Sequence, residues 1–259
     1  MQAKRILVTS AVGGVGKSSV STHLSSALAE AGHRVLLVDL CSTGRVLDLL
    51  TSLSDAVLYD IGDLFCGRTT ASRALLEVPS RRGLFLLPGL FRAEHPVTSH
   101  ELLRAVRVAE EAIDAEYTIF DSHFDDTALR AASIADRVFV VSDLRPGSVR
   151  AAAEAALALP SQVEASIIVN RYPCYPSVKG KWPSVKALLD EARLPLSGIL
   201  PDSPALSRRE AAGDGISLPK ENLSRAYRSI AARLDGLHAP LCIKWKKVKR
   251  KRLIRALIG

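Results

Sequence analysis

The sequence predicts an α/β fold in which a doubly wound, mostly parallel sheet is flanked by helices. Three observations predict it. The 259 residues are enough for one large domain with a substantial core. Short, nearly continuous apolar runs, typical of strands covered on both faces, alternate with longer helical patterns. A glycine-rich segment joins the first such run to the first helical pattern.

The individual elements follow from these patterns. Strands are predicted where short runs are apolar at nearly every position: residues 5–9, 34–38, 84–88, 117–120, 137–142, 166–170 and 197–201. Helices are predicted where longer stretches separate these runs: residues 17–31, 99–112, 127–134, 147–159, 184–192 and 221–234. Because strands and helices alternate, the sheet is expected to be parallel with helices on both sides.

The charge of the chain is concentrated at its carboxyl end. The formal net charge is +8, and residues 241–259 contain eight basic residues and no acidic one, so residues 1–240 are formally neutral. No internal repeat or linker is visible before residue 236. We therefore expect one α/β domain over residues 1–240 and a basic tail over residues 241–259.

Composition excludes several classes of protein. Hydrophobic residues make up 47% and charged residues 24%, which is ordinary for a globular protein and excludes disordered and fibrous chains. The four cysteines are scattered without a CxxC pair, which argues against a zinc site and a disulfide framework. No signal peptide is recognisable, and no apolar run reaches the length of about 18 residues that a spanning helix needs. A cytoplasmic, non-transmembrane protein is expected.

The glycine-rich segment at residues 10–18 has the strand, loop and helix context of a phosphate-binding loop. Glycines let backbone N–H groups close on phosphate oxygens, while Lys17 would reach the outer phosphates and Ser18 would hold Mg²⁺. The strict pattern GxxxxGK[ST] fails because Ala11 occupies the first glycine position. The alternative is a tight turn with a capping serine. The predicted nucleotide contacts are Gly13, Gly14, Val15, Gly16, Lys17, Ser18 and Ser19.

Residues 12–18 resemble the deviant Walker A motif, KGGxGK[ST], of the MinD/ParA class of P-loop ATPases. Further segments follow in the order and spacing of that class: residues 38–39, 45–50, 58–64, 86–88, 120–122, 135–136, 148–150, 170–172 and 198–202. The resemblance covers nearly the whole chain and is strongest to the MinD branch, which acts in cell division. It implies a P-loop NTPase fold that binds ATP or ADP with Mg²⁺.

The resemblance also implies roles for individual residues. Lys17, Asp39 and Asp121 match the catalytic positions, and Ser18, Asp39 and Asp121 match the positions around Mg²⁺. The adenine contacts are expected at Asn170, Arg171, Pro201 and Asp202. An asparagine amide offers both the donor and the acceptor that adenine needs. Taken alone, an asparagine or a proline at a strand end would be ordinary loop punctuation.

Three positions depart from the pattern of the class. Val12 stands where the class carries a lysine that reaches the partner's nucleotide in a homodimer, and a cation supplied in this way is worth about 10³–10⁵ in rate. Cys41 stands where a second aspartate helps to place the attacking water; we interpret it as a small buried residue. A switch containing proline and glycine is replaced by residues 121–125. Nucleotide-driven dimerisation and hydrolysis are therefore expected to be weakened.

Two other features of these regions leave alternatives open. His123 beside Asp125 could suggest acid–base catalysis, but we interpret the pair as part of an exposed polar loop. Arg45 and Arg145 follow predicted strands and could supply the charge missing at Val12. In that case the protein would be an active ATPase.

The tail combines basic residues with a short apolar set. On a helix its apolar residues share one side, and Trp245 suits the membrane interface: Trp245, Leu253, Ile254, Leu257 and Ile258. Basic clusters beside an apolar face suit anionic lipid, at about 1 kcal/mol per basic residue. MinD-type proteins also end in an amphipathic membrane-targeting helix. A nucleic-acid arm or a solubilising tail are the alternatives, but neither uses the apolar residues.

Together these features predict a MinD-like, ATP-binding protein, peripheral on the inner face of a bacterial cell membrane, that acts in septum placement. Hydrolysis is expected to be weak or dependent on a regulatory or cell-division protein partner. The alternatives are a nucleotide-independent scaffold for pilus or flagellar placement, and a ParA-like DNA-partitioning protein whose tail binds DNA.

Overall fold

The fold is known from a computed structural model, which describes residues 2–41, 45–90, 98–172, 183–213, 216 and 222–241. Its strands are β1 (Lys4–Ser10), β2 (Val35–Asp39), β3 (Leu76–Glu77), β4 (Leu84–Leu87), β5 (Tyr117–His123), β6 (Arg137–Ser142), β7 (Glu164–Tyr172) and β8 (Leu196–Pro201). They form one eight-stranded sheet in the order β3-β4-β2-β5-β1-β6-β7-β8. All neighbours pair in parallel except β3 and β4.

Helices cover both faces of this sheet. They are α1 (Lys17–Glu30), α2 (Leu47–Leu50), α3 (Ile61–Phe65), α4 (Ala71–Ala74), α5 (Ser99–Ile113), α6 (Asp126–Ala132), α7 (Pro146–Ala158), α8 (Val185–Ala192), α9 (Pro204–Ala211) and α10 (Asn222–Leu234). Apolar side chains of α1 and α10 pack in one buried cluster, and those of α5 to α8 pack in a second. The strands alternate their side chains between the two clusters, which makes the sheet a buried central layer.

The predicted fold class is confirmed, and the seven strands expected from the sequence are all present. The prediction missed β3, α2, α3, α4 and α9. The first four contain two to five residues, too few for an apolar period to become visible. No helix in the described part of the chain is both long enough and apolar enough to cross a membrane.

The strand order brings three chain segments together at the carboxyl edge of the sheet. β1 lies beside β5, and β2 lies on the other side of β5, so that Asp39 is the register partner of Asp121. The loop that follows β1 leaves the sheet at this same edge and leads into α1. Ligands of doubly wound sheets bind at this edge, where the strand order reverses.

Candidate functional site

The loop between β1 and α1 has a backbone that requires glycine. Gly14 and Gly16 have φ values of +74° and +88°, in the left-handed region that other residues rarely adopt. A Cβ atom on Gly16 would also clash with Nδ2 of Asn170. Gly16 is thus fixed both by its backbone conformation and by the close approach of β7.

The amino end of α1 faces this loop with its first N–H groups available. Gly16 is the residue that precedes α1, and among the described residues no side chain caps the amino end of this helix. The first turn of α1 contains no acidic residue. The unpaired N–H groups and the positive end of the helix dipole favour an anion at this point. The local structure therefore fits the phosphate-binding role predicted for residues 13–19.

The side chain of Lys17 is buried, and its ammonium group lies among three polar groups. Its Nζ donates to Oδ2 of Asp121 at 2.9 Å, to Sγ of Cys41 at 3.1 Å and to Oγ of Ser18 at 3.1 Å. Burial alone would lower the pKa of Lys17, but the charge of Asp121 and the hydrogen bonds to Asp121 and Cys41 outweigh it and raise the pKa. Lys17 therefore remains charged and partnered.

Asp121, on β5, is the acceptor around which these groups gather. Its carboxylate is completely buried and forms an ion pair with Lys17. Oδ2 also accepts from Oγ of Ser18 at 2.7 Å, and Oδ1 accepts from Oγ of Ser21 at 2.6 Å. Sequence reasoning missed Ser21, although it lies one helical turn after Lys17 and so on the same face of α1.

Asp39, at the end of β2, is a second buried carboxyl group at this edge. Its Oδ1 accepts from the backbone N–H of Cys41 at 2.9 Å. Burial, together with repulsion from Asp121, raises the pKa of Asp39 to about 7. The site therefore contains one carboxyl group that readily exchanges a proton near neutral pH, and a nearby cation would favour its ionised form.

Cys41 is buried as expected, but it also contacts the polar site. Its Sγ lies 3.6 Å from Oδ2 of Asp121 in addition to its contact with Lys17. Burial, reinforced by the charge of Asp121, raises the pKa of the Cys41 thiol to about 12. In this state it is a neutral thiol and neither a nucleophile nor a substitute for a carboxylate.

The predicted adenine-side residues lie at the ends of β7 and β8. Nδ2 of Asn170 donates to the carbonyl of Val15 at 2.8 Å, which holds the amide against the loop. Arg171 follows with a left-handed backbone, φ +51°. Pro201 ends β8 beside Tyr172, and the N–H of Asp202 donates to the carbonyl of Tyr172 at 3.1 Å. Asn170 therefore contacts the loop directly, and the end of β8 lies beside the end of β7.

The segment after Asp121 differs from the exposed loop that the sequence suggested. His123 is the last residue of β5, pairs in register with Ser10 and is partly buried. Asp125 caps α6 by accepting from the N–H groups of Thr127 and Ala128. The interpretation as an exposed loop was wrong, because β5 continues alongside β1 and the next helix begins at once.

Val12 lacks the charge of the family's lysine, and the two arginines considered as substitutes for it both pair with acidic residues. Val12 is partly buried and packs against the apolar cluster around α1. Arg145 forms an ion pair with Asp143 at 2.6 Å. Arg45 forms one with Asp48 at 3.0 Å and acts electrostatically on Asp39. Of the two arginines, Arg45 is therefore the one whose charge reaches the site.

A second polar cluster connects the phosphate-binding helix to α9. Ser19 donates to the carboxylate of Glu210, and Nε2 of the completely buried His23 lies 3.4 Å from the same group. Sequence reasoning missed α9, and with it Glu210. The dipeptide Ser203-Pro204 was the available signal, since Ser203 caps α9 and Pro204 begins it.

The donor set of this site fits a divalent cation bound with a nucleotide. Ligand atoms of Asp39, Cys41 and Asp121 all lie within 4.8 Å of one another and are buried. Ser18 adds a hydroxyl group that already contacts Asp121. Carboxylate and hydroxyl oxygens are the ligands that Mg²⁺ prefers, and the ammonium group of Lys17 lies among these oxygen atoms.

The predicted membrane-binding residues of the tail, Trp245, Leu253, Ile254, Leu257 and Ile258, lie outside the described residues.

Comparison with known families agrees with this geometry. The family model described as the CobQ/CobB/MinD/ParA nucleotide binding domain matches residues 6–216. The chain belongs to this family. The match extends from β1 to just beyond α9, and so includes every element that contributes to the site. The membership predicted from the motif in residues 12–18 is thereby confirmed.

Several MinD proteins are similar to this chain in sequence. The septum site-determining protein MinD of Bacillus subtilis is 30% identical over 244 residues, which cover 91% of this chain and 90% of that protein. MinD of Neisseria meningitidis is 27% identical over 272 residues and covers 99% of both chains. This chain is therefore similar to these MinD proteins over most of their length.

Solved MinD/ParA structures share the fold. A MinC:MinD cell division protein complex from Aquifex aeolicus gives a TM-score of 0.84 at 29% identity and covers 93% of this chain and 99% of that chain. MinD from Pyrococcus horikoshii, complexed with Mg-ADP, gives a TM-score of 0.76 at 21% identity, with 90% and 96% covered. The second likeness shows the fold alone.

Proposed function

We propose that this chain is a MinD-like, membrane-associated ATP-binding protein that takes part in placing the bacterial division site. The observation that carries the proposal is that Lys17 and Ser18, which directly follow the glycine loop, meet Asp121 and its register partner Asp39 at the carboxyl edge of the sheet. Membership of the MinD/ParA nucleotide-binding family and similarity to septum site-determining proteins support it.

In the proposed nucleotide complex, Lys17 would contact the outer phosphates, and the N–H groups of residues 13–19 would bind the phosphate chain. Ser18, Asp39 and Asp121 would hold Mg²⁺, which would neutralise phosphate charge and orient the phosphates. Asn170, Arg171, Pro201 and Asp202 contact the adenine side. Lys17, Asp39 and Asp121 are the proposed catalytic residues.

Hydrolysis in this proposal is weak or depends on a partner. Val12 carries no charge that could stabilise the developing negative charge on a second copy's nucleotide, and a homodimer is weakened for the same reason. Cys41 is a neutral thiol and cannot orient a water molecule as a carboxylate does. The proposed partner is a regulatory cell-division protein, since the similar MinD from Aquifex aeolicus was solved in a complex with MinC.

The proposed division of the chain is a P-loop domain over residues 1–240 and a membrane-targeting tail over residues 241–259. The tail carries the entire net charge of +8 together with Trp245 and a terminal apolar set. Such a segment binds anionic lipid reversibly, because a basic patch and a weak apolar anchor are each insufficient alone. The protein would thus lie peripherally on the inner face of the cell membrane.

Nucleotide binding is tested by calorimetry of ATP and ADP with Mg²⁺ on the full chain. We expect Lys17→Ala to weaken binding about 10- to 150-fold, the equivalent of one charge-assisted hydrogen-bonded contact. Lys186→Ala is the matched control, because Lys186 is an exposed residue that pairs with Asp190 on α8. Equal affinities of Lys17→Ala and the unaltered chain would contradict the proposed site.

Membrane binding is tested by sedimentation with vesicles of anionic or neutral lipid. The full chain is expected to sediment with anionic vesicles, and a chain ending at residue 240 is expected to stay in solution. Binding of duplex DNA by the full chain, lost on the same truncation and without any vesicle binding, would contradict the membrane role and favour DNA partitioning.

A further inference from the structure

A cluster of ionisable side chains ties the end of α10 to the amino edge of the sheet, far from the nucleotide site. His33 lies in the loop between α1 and β2, Glu116 directly precedes β5, and Asp235 directly follows α10. Nδ1 of His33 lies 2.8 Å from Oε2 of Glu116, and Nε2 lies 3.1 Å from Oδ2 of Asp235. One imidazole ring therefore bridges two carboxylates from separate parts of the chain.

The geometry of this bridge fixes the charge of the ring. A neutral imidazole has one N–H group and one lone pair, so that only one of its nitrogen atoms can donate a hydrogen bond. Both ring nitrogens of His33 face a carboxylate oxygen, which requires two N–H groups and hence an imidazolium ion. Burial alone would lower the pKa of His33, but the hydrogen bonds to Glu116 and Asp235 and the charges of these two residues outweigh it and raise the pKa.

Two further ionisable groups pack against the bridge. The ring of Tyr117 lies edge-on to that of His33, with the ring centroids 5.0 Å apart, and its hydroxyl group donates to Oδ1 of Asp235. Burial, together with this hydrogen bond, raises the pKa of Tyr117. Nζ of Lys4, on β1, donates to the carbonyl oxygen of Leu234 at 3.0 Å and lies 5.5 Å from the centre of the Tyr117 ring. These two contacts hold the end of α10 without using the proton of His33.

Glu116 has a further donor on its other side. Its Oε1 accepts from the backbone N–H of Arg34 at 3.2 Å, whereas the guanidinium group of Arg34 pairs with Asp114 at 3.2 Å. The hydrogen bond to His33 lowers the pKa of Glu116, so this carboxylate stays ionised where a histidine titrates. Histidine is the side chain that ordinarily changes its charge between pH 5 and pH 8. His33 is therefore the member of the cluster that can respond to pH.

We propose that His33 acts as a pH-sensitive latch, which holds the end of α10 and the chain that follows it against the amino edge of the sheet. Loss of one proton to solvent water leaves a single N–H group for two carboxylates, so that either Glu116 or Asp235 then faces a lone pair. Because the pKa of His33 is raised in the folded chain, the latch is closed below the ordinary histidine value of about 6.5 and opens as the pH rises through the raised value. The latch does not depend on the proposed nucleotide site.

The segment that the latch holds leads to the basic tail. Arg233, in the last turn of α10, donates to the carbonyl oxygens of Ala239 and Pro240 at 3.3 and 2.8 Å, and also to that of Ser197 on β8. These contacts place the start of the tail beside the amino end of β8, at the same edge of the sheet as the latch. Opening of the latch therefore loosens the point from which the tail continues.

Hydrogen exchange at the end of α10 in the full chain tests the latch. The amide groups of Asp235, Gly236 and Leu237 donate to carbonyl oxygens in the last turns of the helix. We expect their protection factors, which are corrected for the intrinsic pH dependence of exchange, to fall about 2- to 12-fold between pH 6 and pH 9, equivalent to one net hydrogen bond. His33→Arg supplies a permanent cation that can donate to both carboxylates, and it should keep its protection at both pH values. His33→Gln should be less protected at both.

Arg228→Gln is the matched control. Arg228 also holds α10, through an ion pair with Glu30 on α1 in which no histidine takes part. We expect this variant to show the same fold-change between pH 6 and pH 9 as the unaltered chain. Protection that does not change with pH in the unaltered chain, or that falls equally in His33→Arg, would overturn the inference.

Nuclear magnetic resonance gives a second readout on the unaltered chain. The Hε1 resonance of His33, which is assigned by its absence from His33→Gln, should titrate with a midpoint above about 6.5, the ordinary value for a histidine. A midpoint below that value would overturn the latch. Calorimetry of ADP with Mg²⁺ should give the same affinity for the unaltered chain and for His33→Gln. A failure of ADP to bind to both would contradict the proposed function and leave the latch standing.

Discussion

Two buried ion pairs lie at opposite ends of the same strands, β1 and β5. At the amino end, Arg5 binds Glu110 through two parallel hydrogen bonds of 2.9 and 2.7 Å. At the carboxyl end, Lys17 binds Asp121 through a single contact of 2.9 Å. Both pairs are almost completely buried, so the difference between them lies in the number and kind of their partners.

The pair at the amino end is a closed pair, in the sense that its strong contacts are all with other groups of the protein. Glu110 also accepts from Oγ1 of Thr118 at 2.7 Å, and the backbone N–H of Arg5 donates to Asp136 at 2.8 Å. The hydrogen bond to Glu110 raises the pKa of Arg5. Every strong contact lies within the protein and has a fixed geometry, as is typical of a structural arginine–carboxylate pair.

The pair at the carboxyl end can exchange its partners. Lysine is a point charge on a flexible stem, and the groups around Lys17 are hydroxyl, thiol and carboxyl groups that suit phosphate or metal ligands. The amino end of α1 stands beside them without a capping side chain among the described residues. The comparison suggests that the amino end holds the sheet together and that the carboxyl end is arranged for a ligand.

The largest effect is expected when the closed pair is broken. Glu110→Ala leaves Arg5 buried without its partner, which costs about 3–5 kcal/mol in the free energy of unfolding. Urea denaturation measures this cost, and Glu111→Ala, at the exposed neighbouring position on α5, is the matched control. A loss no larger than that of the control would show that this pair does not hold the sheet.

Asp39→Asn tests what the buried carboxyl group of Asp39 contributes to stability at the carboxyl end. Because the pKa of Asp39 is raised to about 7 in the folded chain, against about 3.9 when unfolded, the native state binds more protons between these values. The free energy of unfolding of the unaltered chain therefore falls, through the ionisation of Asp39, as the pH rises through this range. Between pH 5 and pH 8, the free energy of unfolding of Asp39→Asn should therefore increase by about 1–3 kcal/mol relative to that of the unaltered chain. A pH-independent difference in urea denaturation would refute this.

A smaller effect separates two glycines of the phosphate-binding loop. Gly16→Ala places an alanine in a left-handed backbone conformation, which costs about 1–2 kcal/mol of stability. The substitution also brings a methyl group against Asn170. Gly13→Ala is the matched control, because the space around Gly13 is open. Thermal unfolding should show a lower midpoint for Gly16→Ala only. Equal midpoints would mean that the loop is less constrained than its geometry indicates.

The smallest effect is expected at the contact between α1 and α9. Glu210→Gln removes a negative charge that holds Ser19, a predicted nucleotide contact. ADP affinity should rise by roughly 2- to 12-fold, equivalent to about 0.5–1.5 kcal/mol. Glu191→Gln, at an exposed position on α8, is the calorimetric control. Weaker ADP binding by Glu210→Gln would instead indicate that Glu210 positions Ser19 for the nucleotide.

The two ends of the strands also differ in how much the sequence reveals about them. Lys17 and Asp121 were found because a motif and a strand end mark them, and the parallel alternation of elements gave the fold. Arg5 and Glu110 carry no motif; only the register that pairs Arg5 with Thr118 reveals their proximity. Glu210 was missed for the same reason, since its contact with Ser19 spans 191 positions of the chain.

The most direct test of the account is the stabilisation that Mg²⁺ and ADP give to the full chain and to two variants. At an ADP concentration of about 100 times the dissociation constant, binding stabilises the unaltered chain by about 2.7 kcal/mol. We predict the same gain for Glu110→Gln, in which only the pair at the amino end is altered. For Lys17→Ala, whose binding is expected to be 10- to 150-fold weaker, we predict a gain of only about 0.3–1.4 kcal/mol at the same ADP concentration. Equal stabilisation of Lys17→Ala, or its loss in Glu110→Gln, would contradict the division between a structural and a ligand-binding end.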